Sequence, residues 1–174
     1  LHFRFTLQDS GKYQLTYTTT DGERSADPFR STITVHADDA PRVVIDKPEE
    51  EETTLPANGQ LAIDGKAGDD FGVDTITLKM RLTGAAARDL PDQPFLYGTE
   101  RSFRRQKDGT FPTDVDVKMS ADFAAIKKDA AGLDFTPAAD MVIEYWLEAA
   151  DNCEPKPNVG KSAVKRVRLT PPPA

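Results

Sequence analysis

The chain has 174 residues, of which 38% are hydrophobic, and a formal net charge of −7. This length provides one large or two small domains with a substantial core. The acidity argues against nucleic acid as the main partner, because phosphate binding needs a basic surface. No apolar run approaches the ~18 residues of a membrane-spanning helix, so membrane insertion is not expected.

Residues 1–38 are predicted to contain three β-strands. Residues 1–8 and 12–20 alternate apolar and polar side chains and are joined by a turn at 9–11. A third strand is predicted at 31–35. Three strands are too few for an independent sandwich. We therefore interpret residues 1–38 as the C-terminal part of a first module.

A junction follows at residues 38–41, whose sequence is Asp-Asp-Ala-Pro. Its proline favours extended backbone in the residue before it, and strands are predicted from residue 42 and from residue 61. The clearest strand comes after the acidic turn at 69–72. Its inward face is predicted to carry Ile76, Leu78, Met80 and Leu82.

The rest of the chain combines strands with one predicted helix. Val115, Val117 and Met119 alternate as in a strand. Ser120 then has the character of a helix N-cap and Gly132 of a stop, which predicts a helix at about 121–131. Closing strands are predicted at 141–149 and 163–169, before a proline-rich linker at 171–174.

One segment of the sequence occurs twice. Residues 13–22 read YQLTYTTTDG and residues 143–152 read IEYWLEAADN, each an alternating run that ends at an acidic residue. A polar loop follows in both copies, and then a serine, Ser31 or Ser162, opens a second run. Each copy is interpreted as the last two strands of an antiparallel sandwich module.

Four segments carry a family resemblance: APRVVIDKP at 40–48, AGDDFGV at 67–73, IEYWLEAADN at 143–152 and SAVKRVRL at 162–169. In this order they resemble the bacterial immunoglobulin-like, or cadherin-like, modules of large envelope and secreted proteins. The resemblance implies an all-β immunoglobulin-like Greek-key sandwich over residues 39–170, with an insertion at about 83–140 that holds the short helix. It also implies tandem modules that act as spacers, adhesion elements or accessory domains outside the cytoplasm.

Acidic residues cluster near the predicted module ends, in the junction, in the 69–72 turn and after the penultimate strand. Calcium prefers six to eight oxygen ligands, which carboxylate-rich loops supply. In cadherin repeats, acidic residues of the linker and of a comparable turn share calcium. The alternative is a set of solvated turn residues that cap backbone amides. The candidate ligands are Asp38, Asp39, Asp69, Asp70, Asp151 and Asn152.

Two further features are candidate binding surfaces. A basic stretch contains Arg101, Phe103, Arg104 and Arg105, which suits an anionic partner or forms an exposed loop of mixed charge. Trp146 alternates with Tyr145 and Leu147, so if those two face the core, Trp146 lies on the outer face. There it either packs beneath the insertion or provides a platform for a sugar.

No catalytic constellation is recognisable in the sequence. It offers two histidines, one cysteine (Cys153), no internal disulfide and no standard zinc spacing. We therefore predict a non-catalytic structural or interaction module of a larger bacterial extracytoplasmic protein, with neighbouring modules as partners and calcium as the one cofactor considered. The alternatives are calcium-dependent adhesion, carbohydrate binding, and an accessory domain of an enzyme.

Overall fold

The computed structural model describes residues 9–96, 100, 103 and 110–173, and these residues form an all-β structure. The chain divides into two compact units, Leu1–Ala37 and Asp38–Ala174, which we call the first and second units. No helix among the described residues is long and apolar enough to cross a membrane.

The described part of the first unit is a two-stranded antiparallel sheet. Strand β1 (Gly11–Leu15) pairs with β2 (Phe29–Ile33), with Tyr13 opposite Ser31. The alternation places Tyr13, Leu15 and Phe29 on one face, where Tyr13 and Phe29 have ring centroids 6.2 Å apart. The strand predicted at residues 1–8 lies outside the described residues.

The described residues of the second unit form ten strands. Their alternating burial shows that each strand presents one face to a core and the other to solvent. In chain order the strands are β3 (Arg42–Lys47), β4 (Glu52–Pro56), β5 (Gln60–Gly68), β6 (Val73–Leu82), β7 (Arg88–Asp89), β8 (Gln93–Pro94), β9 (Asp114–Asp122), β10 (Val142–Asp151), β11 (Val159–Lys161) and β12 (Lys165–Thr170).

Within the described residues these strands build two sheets. The β5 sheet has the order β3-β5-β9 and is antiparallel throughout. The β10 sheet has the order β4-β12-β10-β6-β7, with β11 also paired to β10 and β8 to β6. Its β4–β12 pair is parallel, whereas the others are antiparallel. Consecutive strands β3 and β4 therefore belong to different sheets.

The two sheets share one hydrophobic core. Strand β10 contributes Ile143, Tyr145, Leu147 and Ala149, all fully buried, and β5 contributes residues such as Ile63. Burying one such aliphatic side chain stabilises the fold by about 1.5–3 kcal/mol. The sheets approach closely near β5, because a Cβ added at Gly65 would lie 3.1 Å from Leu147 Cδ1 of the other sheet.

A buried lysine stabilises the segment that connects β3 in one sheet to β4 in the other. Lys165 is 9% exposed and lies on the inward face of β12. Its ammonium group donates to the backbone carbonyls of Pro48 and Glu49, which lie between β3 and β4. The hydrogen bonds compensate for burying a charge that is costly when left unsatisfied.

The helix predicted at about 121–131 is wrong. Ser120 lies within β9, opposite Ala62, and the only helical element in the described residues is a 3₁₀ turn at Phe123–Ala125. The cap is Asp122, whose carboxylate accepts from the Ala124 N–H at 2.9 Å. The two-residue alternation of Val115 and Val117 continues inward through Ala121, so strand packing overrides the helical signals.

Part of the segment predicted as an insertion contributes a strand to the β5 sheet. Strand β9 falls within residues 83–140, yet it pairs with β5 along nine residues and buries Val117 in the core. Gly132, predicted to stop the helix, has φ 83° in a turn where its N–H donates to Asp129 O. Residues 114–122 of this segment therefore belong to the β5 sheet.

The repeated segments share a serine contact, but Ser31 does not make it. In the second unit, the Leu147 N–H donates to Ser162 Oγ and the Ser162 N–H donates to Leu147 O, at 3.0 and 2.9 Å. In the first unit, Tyr17 makes the same pair of contacts with Ser25, at 3.4 and 3.0 Å. Ser25 is therefore the counterpart of Ser162, whereas Ser31 lies within β2.

Candidate metal centre

Asp151 occupies an inward position at the end of β10. It continues the alternation of Leu147 and Ala149 and is fully buried. The pairing with β6 shifts register here, because Ala150 faces Thr75 whereas Asp151 faces Val73. Such irregularities re-aim side chains at the ends of sheets. Strand geometry thus carries a carboxylate to one end of the core.

The Asp151 carboxylate organises the loop that follows it. One oxygen accepts from the backbone N–H groups of Cys153 and Asn158, at 3.0 and 2.8 Å. The other accepts from the Asn158 side-chain amide at 2.8 Å. The same amide nitrogen lies 3.3 Å from Asp38 O, so this loop contacts the first residue of the second unit.

Asp69 holds the turn between β5 and β6. Its Oδ2 accepts from the N–H groups of Phe71 and Gly72, at 3.0 and 2.7 Å. Gly72 has φ 114°, and a Cβ there would lie 2.5 Å from Phe111 Cβ, so only glycine fits this turn. Phe71 is 52% exposed and does not pack into the core.

Asp38, Asp69 and Asp151 converge at this end of the second unit. One carboxylate oxygen from each lies within 4.8 Å of the other two. Asp38 Oδ1 and Asp69 Oδ1 are buried and have no hydrogen-bond partner. Two buried acceptors without donors and three neighbouring carboxyls form a site that is electrostatically unfavourable by itself.

Burial and the neighbouring negative charges make the carboxyls of Asp38 and Asp69 reluctant to ionise. Burial raises the pKa of Asp38, and the charge of Asp151 raises it further despite the hydrogen bond with Cys153. Burial also raises the pKa of Asp69, outweighing its two backbone hydrogen bonds. Either a proton or a cation relieves this repulsion.

The donor set favours a hard cation. Carboxylate oxygens suit calcium or magnesium, whereas zinc and softer metals prefer thiolate and imidazole. Cys153 lies beside Asp38, but loss of solvation and the charges of Asp38 and Asp151 raise the pKa of its thiol. Because a protonated thiol is a poor metal ligand, the three carboxylates would hold the ion.

The structure places the other predicted calcium ligands elsewhere. Asp39 and Asp70 line an adjacent groove of about 530 Å³ that Asp69 also borders, together with Arg42 and Lys66. The amide that contacts Asp151 belongs to Asn158 and not to Asn152. Asn158 had no sequence signal, because its approach depends on how the 151–158 loop folds back.

The residues of the two predicted binding surfaces differ in where the structure places them. Arg101, Arg104 and Arg105 lie outside the described residues. Phe103 is 5% exposed and packs 6.1 Å from Phe95, so its side chain belongs to the core and not to a surface that meets a partner. Trp146 is half-buried on the outer face of β10, where its indole N–H donates to Glu148 at 2.9 Å.

No protein-family model matches the chain, and no curated protein gives a significant match.

The stability of the second unit should depend on pH through the Asp38 carboxyl. The folded state holds Asp38 protonated to higher pH than the unfolded chain does. The favourable contribution of Asp38 protonation to the free energy of unfolding is therefore complete below the ordinary pKa of 3.8. It is lost as pH rises through the raised folded-state pKa. In chelator, D38N should gain stability relative to the natural chain across that window, as measured by urea unfolding at a series of pH values. A difference that shrinks with rising pH would contradict the repulsion.

Proposed function

We propose that the second unit is an immunoglobulin-like Greek-key sandwich that acts as a non-catalytic spacer or interaction module. The strand order supports this fold, because the first part of the chain divides between the sheets, with β3 on β5 and β4 on β12. Antiparallel neighbours around a shared core are typical of such sandwiches.

The spacer role is supported by the positions at which the chain enters and leaves the second unit. Asp38 lies beside Asn158 and Asp151, at the C-terminal end of β10. Strand β12 leaves at the opposite end, where Arg168 pairs with Val142. The ten residues of β10 span about 30 Å between these ends. A module of this kind separates whatever precedes it from whatever follows it.

The parallel pair β4–β12 suits a module under tension. Its five residue pairs run from Glu52 opposite Arg166 to Pro56 opposite Thr170. Tension between Asp38 and the end of β12 pulls these strands past each other, so their hydrogen bonds are loaded together. The Arg168–Glu52 ion pair at 3.1 Å also crosses this pair, although an exposed pair adds little.

The proposed partners are neighbouring modules of the same or another protein, in the envelope or secreted space of a bacterium. The hairpin with a serine contact that recurs in both units supports a tandem arrangement. An accessory role beside a catalytic domain is compatible with the same geometry.

Single-molecule pulling on the intact chain tests the spacer role. Arg166 N–H donates to Glu51 O at 2.8 Å, so R166P removes a bond between β12 and the β4 side. We expect R166P to lower the unfolding force of the second unit. R166A is the matched control, since it keeps the N–H and loses only the exposed Glu144 ion pair. Equal unfolding forces for R166P and R166A would reject the mechanical role of the β4–β12 pair.

Calcium binding at the Asp38–Asp69–Asp151 cluster is a second candidate function. The specific observation in its favour is that Asp38 Oδ1 and Asp69 Oδ1 are buried without partners. A bound cation supplies the missing partner, and water and backbone oxygens complete its shell. Because Asp38 is the first residue of the second unit, the ion would also fix the chain where the unit begins.

Thermal unfolding in calcium and in chelator tests this candidate. A ligand that binds only the folded state raises Tm, here by roughly 10 °C when free calcium is about 100 times Kd. D69N should abolish the response, whereas D116N, which removes an exposed acid of β9, should retain it. A Tm that neither millimolar calcium nor chelator moves would exclude the calcium site while leaving the spacer proposal intact.

A further inference from the structure

A recess lies on the outer face of the β10 sheet, away from the acidic cluster. It has a volume of about 220 Å³. Trp146 of β10 and Lys79 of β6 lie directly opposite each other and form its floor. Asp89, Asp92 and Glu148 also line it. An aromatic side chain thus lies beside carboxylates and a lysine in a recess that Met80, Leu90 and Ala130 also line.

Backbone hydrogen bonds hold the wall of the recess. The Leu90 N–H donates to Met80 O at 2.9 Å, which fastens the connection between β7 and β8 along β6. The Ala130 N–H donates to Asp89 O at 2.9 Å and brings a second loop to the rim. Because these contacts are backbone bonds, the recess is pre-formed.

Each carboxylate in the recess is paired with a cation through one of its oxygens. Lys79 Nζ lies 2.5 Å from Asp92 Oδ2, and Lys161 Nζ lies 2.9 Å from Glu148 Oε1. Arg81 pairs with Asp89 Oδ1 at 3.1 Å. These pairs cancel the local charge and fix the side chains, while the second oxygen of each carboxylate can accept from a ligand.

Glu148 remains ionised in this setting. Burial alone would raise its pKa, but hydrogen bonds from Trp146 and Lys161 and the charges of Lys161 and Lys79 lower it overall. The carboxylate therefore keeps the Trp146 indole in place as an acceptor across neutral and mildly acidic pH.

We propose that this recess binds one pyranose ring of a neutral carbohydrate. The C–H face of the ring would pack on Trp146, and neighbouring hydroxyl groups would donate to Asp89 and Asp92. The balanced charges disfavour a strongly ionic ligand. The volume is below the roughly 300–1,000 Å³ of pockets for drug-sized ligands, which suits a single ring. This activity is additional to the spacer role and does not depend on it.

The single tryptophan of the chain makes the test direct. The indole N–H resonance of Trp146 would be followed by NMR as methyl glucopyranoside, methyl galactopyranoside, methyl mannopyranoside and N-acetylglucosamine are titrated separately into the intact protein. At least one sugar should shift the resonance saturably with a millimolar Kd. D92N should weaken that binding about tenfold through loss of a charge-assisted hydrogen bond.

Two controls separate a site from non-specific effects. D116N, on the outer face of the β5 sheet, should bind with unchanged Kd. K79Q removes the cation that pairs with Asp92 and should also weaken binding, so it replaces D92N if that variant alters the fold. The proposal is overturned if no sugar moves the resonance, if glycerol shifts it equally, or if folded D92N and K79Q bind like the natural chain.

Discussion

The second unit depends on β10, which is paired along both edges and buried along one face. Strand β6 pairs with one edge, while β11 and β12 share the other. Its inward side chains pack against the β5 sheet, where Gly65 allows close approach to Leu147. Because every second residue of β10 is buried, a shift by one residue would expose its apolar face and bury Glu144, Trp146 and Glu148.

The candidate sites follow from the two faces and the end of this strand. The inward alternation ends at Asp151, which places a carboxylate where the junction residue Asp38 and the Asp69 turn also lie. The outward alternation places Trp146 and Glu148 in a recess beside Lys79. The same periodicity thus supplies the core, an acidic cluster at one end and an aromatic surface on one side.

Local patterns predicted those features that depend on neighbouring residues. The alternation in β6 and β10 and the turn at 69–72 are present in the structure. The sequence named Asp38, Asp69 and Asp151 as candidate ligands, but their convergence depends on packing between distant segments. The sequence could not show which member of each acidic pair belongs to the cluster. Asp69 bonds back to its own turn and belongs to the cluster, although it also borders the adjacent groove with Asp70.

Features that depend on contacts outside the local sequence pattern were missed or wrong. Ser120 and Gly132 satisfy helix-boundary patterns, yet β5 recruits residues 114–122 as a strand and leaves only a short 3₁₀ turn. Ser31 resembled Ser162 by position before an apolar run, but the hairpin contact selects Ser25. Phe103 sits among basic residues in sequence and is nevertheless buried beside Phe95. The β5 partner of residues 114–122 is distant in sequence, whereas the partners of Ser25 and Phe103 are close in sequence and are set by how the intervening loop folds.

Native-state hydrogen exchange tests the central role of β10 most directly. Its amides are enclosed between strands on both edges, so they should exchange only when the second unit unfolds as a whole. We expect residues 143–149 to be the slowest of the unit, with an opening free energy equal to that from urea unfolding. Exchange of these amides through a smaller, local opening, while those of β3 or β9 remain protected, would contradict this role.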